Sequence, residues 1–124
     1  MANPNIVNVT SILGKSTTLA LSTTAGTVLL ANSSTSGKVF KINTILASNV
    51  DGTNDGAVTI AFNTDAGGTG TSTELASTIT VPADATLVVL GKDTSFYLEE
   101  NRSIVGNANA ASTIEVLISY EDIS

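Results

Sequence analysis

The sequence predicts an all-β domain, a two-sheet β-sandwich with a jelly roll among the arrangements open to it, and three observations carry that expectation. Short runs of alternating apolar and polar residues recur at spacings of about 8–12 residues, bounded by Gly, Asn, Asp and Ser/Thr. No window of helical length shows apolar residues at i, i+3, i+4 and i+7. The chain of 124 residues is 42% apolar but only 4% aromatic, so its core has to be assembled from Val, Ile, Leu and Ala.

The elements follow in chain order. Residues 1–16 differ from the rest and are predicted to form an N-terminal arm or edge strand, docked on the domain or on a neighbour. Ile6, Val7 and Val9 read as a strand that continues irregularly through residues 11–15. The sandwich domain is expected over residues 17–124. Leu19 and Leu21 alternate with Ala20, and Thr23-Thr24-Ala25-Gly26 supplies turn chemistry. Val28 and Leu30 mark the next strand, and residues 32–37 a loop.

Residues 38–48 form the longest strand candidate, with Phe40, Ile42, Thr44 and Leu46 on one face. Val39, Lys41, Asn43, Ile45 and Ala47 take the other, as in a sheet half-covered by a second. A tight loop at residues 51–56 leads into 57–62, where Val58, Ile60 and Phe62 alternate with smaller residues. Residues 65–72 are Gly/Thr-rich and read as a mobile loop. The 74–81 run places Leu75, Ser77, Ile79 and Val81 on one face, and residues 82–85 turn the chain. Residues 87–90, then Phe96 and Leu98, then Ile104 and Val105 mark shorter strands. Residues 107–111 read as a loop, and 113–121 turns Ile114, Val116, Ile118 and Tyr120 inward. Strand order is left open by this pattern.

Composition removes most catalytic vocabulary. Histidine and cysteine are absent, which excludes the commonest general base and metal ligand, the thiol nucleophile and any disulfide. A net charge of −6 with five scattered basic residues argues against nucleic acid. The N-terminus shows no signal-peptide pattern and no apolar run reaches membrane-spanning length, so synthesis in a cytoplasm and no membrane partner are expected.

Four local motifs have plainer readings, three as turns and the Glu99-Glu100 pair as a solvated strand end. Ser11–Ser16 ends like a phosphate-binding loop but has Val9 where the first glycine belongs. Asp51, Asp55 and Gly56 match the opening of a calcium loop, yet Phe62 stands where a bidentate Glu is required. Asp93-Thr94-Ser95 matches the triplet of aspartic proteases but lies too near the C-terminus for that fold. Glu99 and Glu100 are adjacent and diverge on a strand, so they cannot flank one bond. Asn8, Asn32 and Asn101 begin glycosylation sequons of the kind a Ser/Thr-rich chain produces by chance. The expectation is no enzyme, no catalytic residues, no metal and no cofactor.

Several segments resemble small β-structured virion proteins of tailed bacteriophages, especially of marine cyanophage type. They are Pro4–Ile12, Gly37–Asn43, Ala47–Asn54, Ala76–Val89, Phe96–Glu100 and Ile118–Ile123, so the similarity spans nearly the whole chain. That family often has Glu-Gly-Asp before its penultimate strand, where this chain has Glu100-Asn101-Arg102, a difference that bears on the turn there. The resemblance implies a virion structural protein, a capsid decoration or cement protein on the outside of the head, or else a tail, baseplate or fibre component. Its partners would be the major capsid protein or other virion proteins, with a homo-oligomer, a trimer by analogy with quasi-threefold capsid positions. A carbohydrate- or receptor-binding module is the alternative from another class, with Tyr97 as its one outward ring. Partner contact is assigned to Ile6, Val7, Val9, Ile12 and Leu13.

Overall fold

The computed structural model describes residues 3–124. Nine strands form: β1 (Ile12–Ala20), β2 (Thr27–Asn32), β3 (Val39–Asn49), β4 (Gly56–Asn63), β5 (Ser72–Val81), β6 (Thr86–Leu90), β7 (Phe96–Leu98), β8 (Arg102–Ala108) and β9 (Ile114–Ile123). The one helical element among the described residues is a 3-10 turn at Lys92–Thr94. One sheet has the order β1-β9-β3-β6, with β7 also paired to β3, and the other has the order β2-β8-β4-β5. Every pairing is antiparallel. With β6 and β7 sharing one edge position beside β3, the two sheets carry the strand order of a jelly roll.

The core between the sheets is aliphatic. Ile42, Ile45, Ile114 and Ile118 from the first sheet meet Val58, Ile60 and Ile104 from the second, all fully buried. Aromatic contacts supplement it at one end. Phe62 on β4 meets Phe96 on β7 edge to face at 6.1 Å, tying one sheet to the other. Phe40 and Tyr120 pack at 5.0 Å on neighbouring strands of the first sheet.

Two β-bulges change which residues face that core. On β3 the pairing with β9 slips between Ile42 and Thr44. Phe40 and Ile42 point inward before the slip, Ile45 and Ala47 after it, and Leu46 turns out. The single-face set expected from alternation, Phe40, Ile42, Thr44 and Leu46, is therefore corrected: one extra residue inverts the face of everything beyond it.

On β5 the pairing with β4 slips after Val58, and Thr78 takes a left-handed φ of 49°. Ala76 and Val81, an odd number of residues apart, are the buried pair, while Leu75 and Ile79 face outward. That overturns the single face expected for Leu75, Ser77, Ile79 and Val81, of which only Val81 is buried.

The loop between β4 and β5, expected to be mobile, is folded onto the second sheet. The Asp65 carboxylate accepts from the amides of Gly67 and Thr69 and from the Thr69 hydroxyl. Ser103 on β8 donates to the Asp65 carbonyl at 2.6 Å, and Arg102 donates to the Thr64 carbonyl at 3.2 Å. Gly68 makes the approach possible. Its φ is +78°, and a Cβ there would lie 3.0–3.2 Å from the Gly26 carbonyl, Val28 and Val105.

Three strands end in a buried asparagine that closes the following corner. At the end of β2, Asn32 donates to the carbonyls of Lys38 and Leu98 and accepts from the Ser36 hydroxyl. Asn49 plays the same part after β3, donating to the Asn54 and Val81 carbonyls and accepting from the Asp51 amide. After β4, Asn63 donates to the Gly68 and Gly70 carbonyls and the Ser72 hydroxyl, and accepts from two amides. Each side chain stands in for a missing ladder bond where the backbone leaves its sheet.

Candidate functional site

The N-terminal third of the first sheet is where the molecule departs from a closed sandwich. β1 pairs with β9 over its whole length without a slip, from Ile12 opposite Ile123 to Ala20 opposite Glu115. Only Thr17 of its nine residues is even half-buried. Alternation puts Leu13, Lys15, Thr17 and Leu19 on the face of the inward-pointing Val116, Ile118 and Asp122 of β9. Leu13 and Leu19 are nevertheless 52% and 37% exposed, because the second sheet does not reach out over β1.

An ion pair holds the strand in place. Asp122 on β9 is buried, and its Oδ2 accepts from Lys15 Nζ at 2.8 Å and from Lys38 Nζ at 3.2 Å. Burial pushes the Asp122 carboxyl upward, but the two ammonium groups outweigh it and hold its pKa below the ordinary value. The hydrogen bond and charge of Asp122 raise the Lys15 pKa in return.

The outer face of the same sheet carries a hollow of about 580 Å³, lined in part by Thr18, Leu46, Ser48, Glu115 and Leu117. Leu46 and Leu117 sit opposite each other in the ladder, with Val88 across from Leu46 and Thr18 across from Leu117. The row crosses four strands.

The residues assigned to partner contact separate into two groups. Ile12 and Leu13 lie in β1, exposed, as part of the domain's own sheet. Ile6 and Val7 lie in a turn, not a strand, and Val9 in the irregular segment after it. Pro4-Asn5 sets that turn: Asn5 Oδ1 accepts from the Val7 amide, and the Asn8 amide donates to the Asn5 carbonyl. The expected boundary at residues 16 and 17 falls inside β1, which is continuous through it. Residues 3–11 run back across the sheet, bonded to Ser124, and Asn3, Pro4 and Ile6 share a hollow with Val39, Tyr97 and Glu99.

The motifs weighed for chemistry are placed as follows. The Asp51 carboxylate accepts from the amides of Thr53 and Asn54 and from the Asn54 side chain, which lower its pKa and close the loop. Asp93 is exposed on the 3-10 turn, where Thr94 bonds back to the Gly91 carbonyl. Glu100 is buried and accepts from the Gly37 amide, while Glu99 is exposed. Asn101, where the resembled family often has glycine, takes a left-handed φ of 57°, a conformation Asn tolerates better than most residues. Asn32 is fully buried with its amide committed, which closes that sequon to a glycan. Among the described residues no three His, Cys, Asp or Glu side chains are grouped to hold a metal ion.

Leu19, Lys15 and Asp122 belong to the same edge and were not singled out by the sequence. The signal for Leu19 was its apolar character on a strand next to the assigned Leu13; for the ion pair no local signal exists.

No protein-family model and no curated protein matches the chain. The chain is similar to a solved structure from Bacillus endospore appendages, described as a novel family of disulfide-linked pili. The identity is 23% and the TM-score 0.50, over 90% of this chain and 87% of that one. That likeness supports the fold.

Proposed function

We propose that the chain is a non-enzymatic structural protein of a bacteriophage virion, a decoration protein bound to the outer surface of the head. The observation that carries the structural role is β1, a nine-residue strand that is exposed along nearly its whole length and bears an open backbone edge. Proteins that act alone blunt such edges, whereas subunits of an assembly pair through them. The resemblance to virion proteins, carried by segments that map to strands and turns, supplies the particle. Assembly is also what the similar Bacillus structure serves, although disulfide linkage cannot carry over to a chain without cysteine.

Gold-labelled antibody on purified virions tests the placement. Label spread over heads supports decoration. Label on tails or fibres moves the protein there, and unlabelled particles overturn the virion role.

Tyr97 supports a second reading, a glycan-binding module. Its ring is 45% exposed beside the hollow shared with Pro4 and Ile6, and sugar sites use exposed rings. Binding on a glycan array that is lost in Tyr97→Ala would establish it, and an array without hits removes it.

A further inference from the structure

We infer that β1 is a homotypic interface: two copies of this chain pair antiparallel through their β1 edges about a two-fold axis at Ser16, joining their first sheets into one. The inference rests on geometry and does not depend on where in a particle the protein sits.

The sandwich has four sheet edges, and three are blunted. β2 carries a slip between Val28 and Leu30, and β5 carries the bulge at Thr78. The remaining edge beside β3 is divided between the short β6 and β7, with the 3-10 turn between them. β1 alone is long, in uninterrupted register and free of proline. Residues 3–11 could have covered it but turn the other way, toward Val39 and Tyr97.

Self-pairing follows from the order of side chains along the strand. In an antiparallel pair centred on Ser16, Leu13 faces Leu19 of the second copy, and Ile12 faces Ala20. Gly14 then faces Thr18, and Lys15 faces Thr17. Both large apolar residues left uncovered on the inner face gain a cross-strand partner, which is the unit of sheet stabilisation. No like charges meet. Lys15, the only charge on β1, is already neutralised by Asp122 of its own chain and faces a neutral threonine. A parallel pair, or a slip by one residue, would break the Leu13–Leu19 match and turn the leucines to opposite faces. The exposure of both faces of β1 is thus the exposure of a strand from the middle of a sheet whose other half is a second molecule.

Sedimentation equilibrium of the full chain, together with two double variants, tests the register. The wild type is expected to dimerise. L13K/L19K places like charges opposite one another twice per interface and should weaken dimerisation at least about tenfold. L13K/L19E places opposite charges at those same positions and should restore it. Since both leucines are exposed, thermal midpoints at low concentration should stay close to that of the wild type. Amide exchange in residues 13–19 should slow as the wild-type concentration rises. A monomer at all accessible concentrations, a trimer, or a dimer that treats the two double variants alike would overturn the interface.

Discussion

Lys15 Nζ lies 2.8 Å from Asp122 Oδ2, joining β1 to β9 by a charge-assisted bond onto a carboxylate that is only 3% exposed. Lys38 supports the same oxygen from the start of β3. The pair fastens the one strand that contributes almost nothing to the core. It makes β1 an edge of fixed register, where an unpinned strand would fray or slip.

Stability should therefore depend on pH at both extremes. The Asp122 pKa is depressed in the folded state, so its contribution is complete above the ordinary value of 3.8 and is lost as pH falls through the folded value. The Lys15 pKa is raised, so its contribution is complete below 10.5 and is lost as pH rises through the folded value. Thermal melts should show a plateau across the neutral range with an acid and an alkaline limb. Asp122→Asn should flatten the part of the acid limb that this carboxylate supplies. Asp122→Ala should lower stability at pH 7 by about 1–3 kcal/mol, the range for a bond to a charged group, and should speed amide exchange in β1 before the rest of the sheet. An acid limb identical in Asp122→Asn and the wild type would show that other carboxylates govern it.

The buried asparagines predict a second set of effects. Asn49→Ala would leave the Asn54 and Val81 carbonyls without the donor they share, both at 2.9 Å. Orphaned buried acceptors cost about 1–3 kcal/mol, so chemical denaturation should show a loss of that order. Asn49→Asp keeps the shape but points a carboxylate oxygen at two carbonyls, and at neutral pH should cost more than alanine does. Its deficit should shrink as pH falls and the carboxyl takes up a proton.

Why these features escaped the sequence has a physical answer in each case. Alternation gave the inward pairs of β4 and β9 correctly. The extra residues opposite Val58 and Ile60 lie on β5, leaving β4 in even register with β8, and Ile114 through Ile118 run evenly against β1 and β3. It failed at Asn43 and Thr78, where an inserted residue inverts the period and leaves no mark on composition. Asn32, Asn49 and Asn63 read as ordinary turn residues, since turn preference accounts for an asparagine whether its amide faces water or a buried carbonyl. Lys15 and Asp122 are 107 residues apart, and only the β1–β9 pairing brings them together. Ile12 and Leu13 stood out in the sequence as part of an atypical N-terminal segment, and their place on the exposed β1 follows from the β1–β9 pairing. The openness of β1 was not legible, because alternation says which face points inward and nothing about whether a second layer lies over it.

Strain at Thr78 should be removable. A β-branched residue at a φ of 49° is held in a region that costs about 1–2 kcal/mol for any residue with a Cβ. Its backbone amide donates to the Thr59 hydroxyl at 3.0 Å, a bond that substitution of the Thr78 side chain leaves intact. Thr78→Gly should raise stability by up to about 1 kcal/mol once the entropy cost of glycine is set against the relief. Deleting Thr78 should cost little, because Ala76 and Val81 would then lie four residues apart and share the inward face by regular alternation. Thermal unfolding of the two variants distinguishes a strained bulge from a dispensable one.

Gly106 and Gly14 offer a matched comparison between two strands of the same fold. On β8, between β2 and β4, a Cβ at Gly106 would lie 2.7 Å from the Thr59 carbonyl oxygen and 2.8 Å from Ile60. The nearer atom is backbone within a paired ladder, so it cannot move aside without disturbing β4. Gly106→Ala should therefore destabilise by about 1–3 kcal/mol, the usual range for overpacking. At Gly14 on β1, nothing lies within 4 Å of the same added carbon. Gly14→Ala should be neutral or slightly stabilising in the isolated domain, since alanine costs less backbone entropy in a strand. Equal losses from both substitutions would mean that β1 is covered in solution by something that already occupies its outer face.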